Sequence, residues 1–127
     1  YKIHTSCDCF VMPSYGEAWC IPAFDAMGFG KTPICTNVGG MSDFIGHGGF
    51  LIEGVDEPVT GMLETFNNLF TGNESSISIK ELMRCMRHVY EQRDALNKMR
   101  EEGLKQAQKY SHKNIGNLIK DLLNANS

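Results

Sequence analysis

CDCFVMPSYGEAWCIPAFDAMGFGKTPICTNVGGMSD, residues 7–43, holds two short apolar runs of strand type with a helical signature between them. The first run, residues 9–12, is too short for a helix, and Pro13-Ser14-Tyr15-Gly16 stops it with turn chemistry, as expected of a buried parallel strand. The second run spans residues 33–36. Between them Pro22 supplies a fixed φ suited to a first helical turn, and Ile21, Phe24, Asp25 and Gly28 fall on neighbouring helical positions. A strand, a helix and a second strand able to lie parallel to the first make a βαβ unit. Ligands of open α/β sheets bind outside the carboxyl ends of the strands, and Glu17 lies just past that end of the first one.

The backbone amides of residues 19–23 are therefore expected to point out unpaired, with the positive end of the helix dipole behind them. Such a terminus suits an anion, and a diphosphate is the obvious one. A carboxylate cannot itself hold phosphate, so Glu17 is expected to accept hydrogen bonds from ligand hydroxyl groups, as is Asp25 one turn into the helix.

The order Phe10-Val11-Met12-Pro13-Ser14, Glu17, Pro22, Asp25-Ala26-Met27, Gly30, Pro33-Ile34 and Val38-Gly39-Gly40 resembles the carboxyl-terminal half of retaining glycosyltransferases of the two-Rossmann-domain type, specifically glycosyltransferase family 4. That family carries two glutamates separated by seven residues on this loop and helix, and Glu17 and Asp25 have that separation. The match is dense over the first third of the chain, looser through Gly49-Phe50-Leu51-Ile52, and returns in the final helix. The resemblance implies that Glu17 is the catalytic-site acid beside the reacting sugar carbon. Gly16, Ala18, Trp19, Cys20 and Ile21 would surround sugar hydroxyls and diphosphate, and Asp25 would grip the ribose. It implies a nucleotide diphosphate sugar as donor, hexose transfer with retained anomeric configuration, and neither metal nor cofactor. Two departures stand out: Asp25 is one methylene shorter than the usual Glu, and Ala18-Trp19-Cys20 replaces the usual Gly-Phe-Gly. Cys20 thereby adds a side chain where backbone normally approaches the ligand.

The chain has 127 residues, enough for one domain, with 42% hydrophobic and 21% charged residues and a net charge of -3. That charge and the absence of a basic run give no reason to expect nucleic acid, and no apolar stretch reaches membrane-spanning length. Tyr1 opens what reads as the end of a helix, so the whole of 1–127 is expected to be a fragment of the carboxyl-terminal donor-binding domain. The expected fold is α/β: a partial Rossmann-like domain with about three parallel strands near residues 8–12, 32–36 and 49–52, flanked by helices, with a helical carboxyl-terminal third. The missing amino-terminal domain of the same chain would be its partner. Loss of upstream strands would leave the first strand an open edge, inviting an edge-strand dimer of the fragment.

Five cysteines without paired spacing read as reduced thiols of a cytosolic protein, with peripheral membrane contact as a further expectation for the full-length enzyme. Gly30-Lys31-Thr32 looks like the tail of a phosphate-binding loop, but Asp25 stands where the first glycine belongs and Pro33 blocks the required helix, which leaves a turn feeding a strand. Thr36-Asn37-Val38-Gly39-Gly40, again at the carboxyl edge, reads alone as a turn and beside the first loop is expected to face the sugar, and His47 lies in a glycine-rich loop from which it could approach a ligand. From Pro58 the period becomes helical, with stripes Val59-Met62-Leu63-Phe66-Leu69-Phe70, closed at Thr71-Gly72-Asn73, and Ile79-Leu82-Met83-Met86-Val89-Tyr90. A less regular helix follows through Leu96, Met99 and Leu104, and Ser111 caps a last one bearing Ile115, Leu118, Ile119, Leu122 and Leu123. That last stripe covers either this domain's own sheet or the absent domain. Two other functions fit the same residues: a non-catalytic nucleotide-sugar-binding or assembly module, and an epimerase-like sugar-nucleotide enzyme, which needs further acid/base groups that the chain does not pair.

Overall fold

Thr32–Thr36 is buried at every residue, the mark of a middle strand covered on both faces. In the computed structural model, which describes residues 2–59 and 72–125, this strand (β2) pairs in parallel with β1 (Cys9–Met12) on one side and β3 (Phe50–Ile52) on the other. The register sets Val11 opposite Ile34 and Cys35 opposite Leu51. The three strands lie within one residue of the bounds expected from sequence, and a short α1 (Lys2–Thr5) precedes them.

Alternation along β2 assigns the two layers. Cys35 points into a cluster with Ala23 and Met27 of α2 (Ile21–Gly28) and Met41 and Phe44 of α3 (Met41–Phe44). Ile34 points the other way, toward Ile52 and toward Cys85 and Val89 of α4 (Ile79–Glu91). α5 (Asn97–Lys109) packs on α2, and α6 (His112–Ala125) follows it. Phe44, Met27, Ile34 and Met41 are fully buried, each worth about 1.5 to 3 kcal/mol relative to exposure. The chain is thus α/β and Rossmann-like, a three-stranded parallel sheet flanked by helices with a helical carboxyl-terminal part.

Two expectations need correction. Asn73 does not close a helix; it opens β5 (Asn73–Ile77), which pairs antiparallel with β4 (Gly54–Pro58) as a separate two-stranded ribbon. Val59 belongs to that ribbon as well, its amide donating to the Gly72 carbonyl at 3.1 Å, and the rest of its proposed stripe lies outside the described residues. GVDEP and NESSI lack an alternating apolar pattern because the ribbon is exposed along most of β4, so nothing periodic marks it.

The second correction concerns α4. Its apolar stripe splits: Cys85 and Val89 are buried and Leu82 packs beside them, whereas Ile79, Met83, Met86 and Tyr90 are exposed. The last helix buries no residue, and Leu118 and Ile119 are exposed, so its stripe does not cover this sheet. Ser111 does cap it, through the Asn114 amide at 3.4 Å. Among the described residues no helix is long and apolar enough to cross a membrane.

Candidate functional site

The loop from β1 to α2 ends on Cys20, held at φ 60° and ψ 65°, the only described residue other than glycine in the left-handed region. That turn aims the chain into α2 with Pro22 in its first turn. The helix closes immediately: the amides of Ala23 and Phe24 both donate to the Cys20 carbonyl, at 3.1 and 3.2 Å. Pro22 has no amide to offer. The unengaged donors are therefore the amides of Ala18, Trp19, Cys20 and Ile21, which have no partner among the described residues. The set is shifted toward the loop relative to the 19–23 range expected from helix geometry.

The side chains of this loop divide sharply. Trp19 turns inward, its ring 5.0 Å from that of Phe44, 5.2 Å from Tyr110 and 6.1 Å from Phe24. Cys20 is buried in the same cluster. Burial raises its thiol above the ordinary value, the Ala23 amide opposes this, and the nearby Glu17 charge adds to it. The extra side chain thus occupies the protein interior, while Ala18 and Ile21 before and after this inward pair are exposed. A Cβ on Gly16 would meet no neighbour.

Glu17 is half-buried, and its carboxylate has no hydrogen-bond or ion-pair partner among the described residues. Asp25 is exposed on the face of α2 opposite the buried Ala23, Ala26 and Met27. It shares that face with Ile21, one turn before it and about 5 to 6 Å away by helix geometry. The structure therefore joins Gly16, Glu17 and Ala18 to the α2 terminus and places Asp25 along the outer face behind Ile21.

The second glycine loop serves this first one. A Cβ on Gly39, whose φ is +57°, would sit 1.8 Å from the Glu17 carbonyl oxygen, and one on Gly40 would sit 2.6 Å from the Trp19 ring. The Gly40 amide donates to the Ala18 carbonyl at 2.8 Å. These glycines thus let two backbones meet. Asn37 continues the linkage, donating to Glu53 at 2.6 Å while accepting from Ser42 at 2.7 Å. The ribbon completes it, because the Ser75 amide donates to the Tyr15 carbonyl at 2.7 Å. Sequence reasoning placed Asn37 in the loop at the carboxyl edge without its partners and missed Glu53 and Ser75, whose polar character in loops or exposed strands carries no signal of the contacts they make.

Other sequence features fall elsewhere. His47 lies in the 3-10 turn Gly46–Gly48 that leads into β3, hence at the amino edge of the parallel sheet, away from Glu17. Gly30-Lys31-Thr32 is a turn feeding β2 at that same edge. All five cysteines are free, and among the described residues no three His, Cys, Asp or Glu side chains could hold a metal ion. A hollow of about 300 Å³ lies along the open edge of β1, between Cys7, Asp8, Cys9 and α4. A second, of about 290 Å³, adjoins the site loop between Pro13, Tyr15, Ser76, Ile77, Ile79 and Leu82.

A search of the curated proteins gives no match. The family model described as glycosyl transferases group 1 matches residues 1–106, which takes in the sheet, the loop carrying Glu17 and most of α5. A carboxylate and a row of open amides at the carboxyl edge of a Rossmann-like sheet agree with that match, and the chain belongs to the group 1 glycosyl transferases, which transfer glycosyl groups from nucleotide sugar donors.

Proposed function

We propose that the chain supplies the donor side of a hexosyltransferase that retains anomeric configuration. One observation carries the reading: among the described residues Glu17 has a carboxylate without a protein partner, next to four backbone amides that are likewise unengaged, while Trp19 and Cys20 turn their side chains inward. In this arrangement Glu17 accepts hydrogen bonds from the donor sugar beside the reacting carbon. The amides of Ala18 to Ile21, at the positive end of α2, hold sugar hydroxyls and diphosphate. Asp25 accepts from the ribose hydroxyls.

The chemistry asked of these groups is electrostatic. Charge develops on the departing diphosphate, and oriented amides offset it without reorganising. Basic residues contributed by a segment outside this chain complete that neutralisation, and no metal is required. Residues 1–127 alone lack an acceptor side and are inactive. Burial of Cys20 supports turnover over a binding module in which the Cys20 and Asp25 departures record lost catalysis, because the thiol lies in the core.

The test is transfer by the full-length protein across a panel of nucleotide sugars, with Glu17→Gln beside the unaltered enzyme. Loss of one charged hydrogen bond to the reacting sugar should lower transfer by roughly tenfold to a hundredfold. Unchanged transfer by Glu17→Gln overturns the role given to this carboxylate.

A further inference from the structure

The loops at the carboxyl edge form a closed circuit of contacts. The loop after β1 is bonded to the loop after β2 through Ala18 and Gly40, and the loop after β2 reaches Glu53 through Asn37. Glu53 leads directly into β4, β4 pairs with β5, and β5 returns to the first loop through Ser75 and Tyr15. Tyr15 is two residues before Glu17. A two-stranded ribbon is marginally stable by itself, so its placement depends on where it is anchored. Here one anchor is the backbone that carries the site.

We propose that the β4–β5 ribbon is a positioning element for Glu17, acting through the Ser75 amide on the Tyr15 carbonyl. This rests on the donor-site role of Glu17 argued above. The Ser75 amide points away from β4, because its bond goes to Tyr15 and not across the ribbon. Ser75 is 6% exposed although the surrounding ribbon is largely open, so the bond is shielded from competing water.

Gly54 makes that burial possible. A Cβ there would lie 2.1 Å from the Ser75 Oγ, 3.2 Å from the Ser75 Cβ and 3.3 Å from the Ser76 carbonyl oxygen. Rotating the hydroxyl away relieves only the first contact, so any side chain at 54 pushes β5 itself. The pull on Tyr15 then loosens, and Glu17 loses its fixed approach to the sugar while the amides of the α2 terminus keep theirs.

The experiment compares Gly54→Ala, Ser75→Gly and the double variant in the full-length protein, measuring kcat and donor KM together with thermal unfolding. Misplacing a contacting group by about 1 Å costs up to roughly a hundredfold, so Gly54→Ala should lower kcat by about tenfold or more. Donor KM should change by less than about threefold, since the amides still hold the diphosphate. Ser75→Gly removes the two obstructing side-chain atoms, leaving only the Ser76 carbonyl oxygen at 3.3 Å, and keeps the N–H, so the double variant should regain most of the lost kcat. A purely structural role would lower thermal stability without this split between kcat and donor KM.

As a check that needs no substitution, the Ser75 amide should exchange with deuterium at least about tenfold more slowly than the exposed Asn73 amide of the same strand. Equal exchange rates overturn the proposal, as does a folded Gly54→Ala variant with unchanged kcat. If Glu17→Gln is also without effect, the donor-site reading fails; if Glu17→Gln cripples transfer and Gly54→Ala does not, only the ribbon inference fails.

Discussion

Cys20 shows how one residue reconciles two demands. Its left-handed backbone would suit glycine, and holding an L residue there costs about 1 to 2 kcal/mol. The thiol recovers much of this by filling the core beside Cys35 and Met41. Cys20→Gly should therefore change unfolding free energy by less than about 1 kcal/mol, the strain relieved offsetting the volume lost. Cys20→Val should cost more than about 2 kcal/mol, because a β-branched residue fits neither the backbone nor the space. Urea denaturation of both variants distinguishes the two outcomes. At Asp25 the expected effect is on binding alone. Asp25→Ala should weaken nucleotide binding by roughly 1 to 3 kcal/mol in titration calorimetry, and Asp25→Glu should preserve or strengthen it. No change with alanine would make Asp25 only a charge near the start of a helix.

Among the elements, the loops and the ribbon matter more for the site than the helices do. A Cβ at Gly39 meets the Glu17 carbonyl oxygen at 1.8 Å, a contact that no rotamer change relieves because both atoms belong to fixed backbone. Gly39→Ala should separate the two loops and reduce transfer by roughly tenfold or more, with loss of activity exceeding loss of thermal stability. Steady-state kinetics set beside an unfolding curve measures both. α4 illustrates a different point. Leu82, Cys85 and Val89 meet the sheet, whereas Ile79, Met83, Met86 and Tyr90 continue the apolar surface beyond it, with Met86 and Tyr90 beside the open edge of β1. The helix is apolar over a wider arc than three strands can cover. Its sequence stripe was legible as a single face, but the width of the sheet beneath decides which half is buried.

Across the whole molecule the sheet supports a buried thiol chemistry with a clear pH signature. Burial pushes the Cys35 thiol up to about 12 from its ordinary 9.0, with the Cys20 charge adding and the Met12 amide opposing. Burial likewise raises Cys9, Cys20 and Cys85. An unfolded chain releases these protons near pH 9.0 while the folded chain holds them longer, so the Cys35 contribution is complete below pH 9 and is lost as pH rises toward 12, and those of the other three are lost in the same direction. For Cys35 the slope approaches roughly 1.4 kcal/mol per pH unit. Urea midpoints measured from pH 8 to 10.5 should fall, and Cys35→Ala should flatten the decline while starting from lower stability. The amino-acid order alone determined the βαβ unit, the three parallel strands, the helix start at Pro22 and the placing of Glu17 at the carboxyl edge, because turn chemistry and apolar periodicity are local properties of a short segment. Tertiary structure alone decided that Trp19 and Cys20 turn inward, that Gly39 and Gly40 support a loop, and that 54–58 and 73–77 form a ribbon bonded to Tyr15. Those outcomes depend on contacts between residues distant in the chain, from 15 positions for Pro58 and Asn73 to 91 for Trp19 and Tyr110, and polar, exposed segments such as GVDEP and NESSI carry no periodic trace of the partners that hold them.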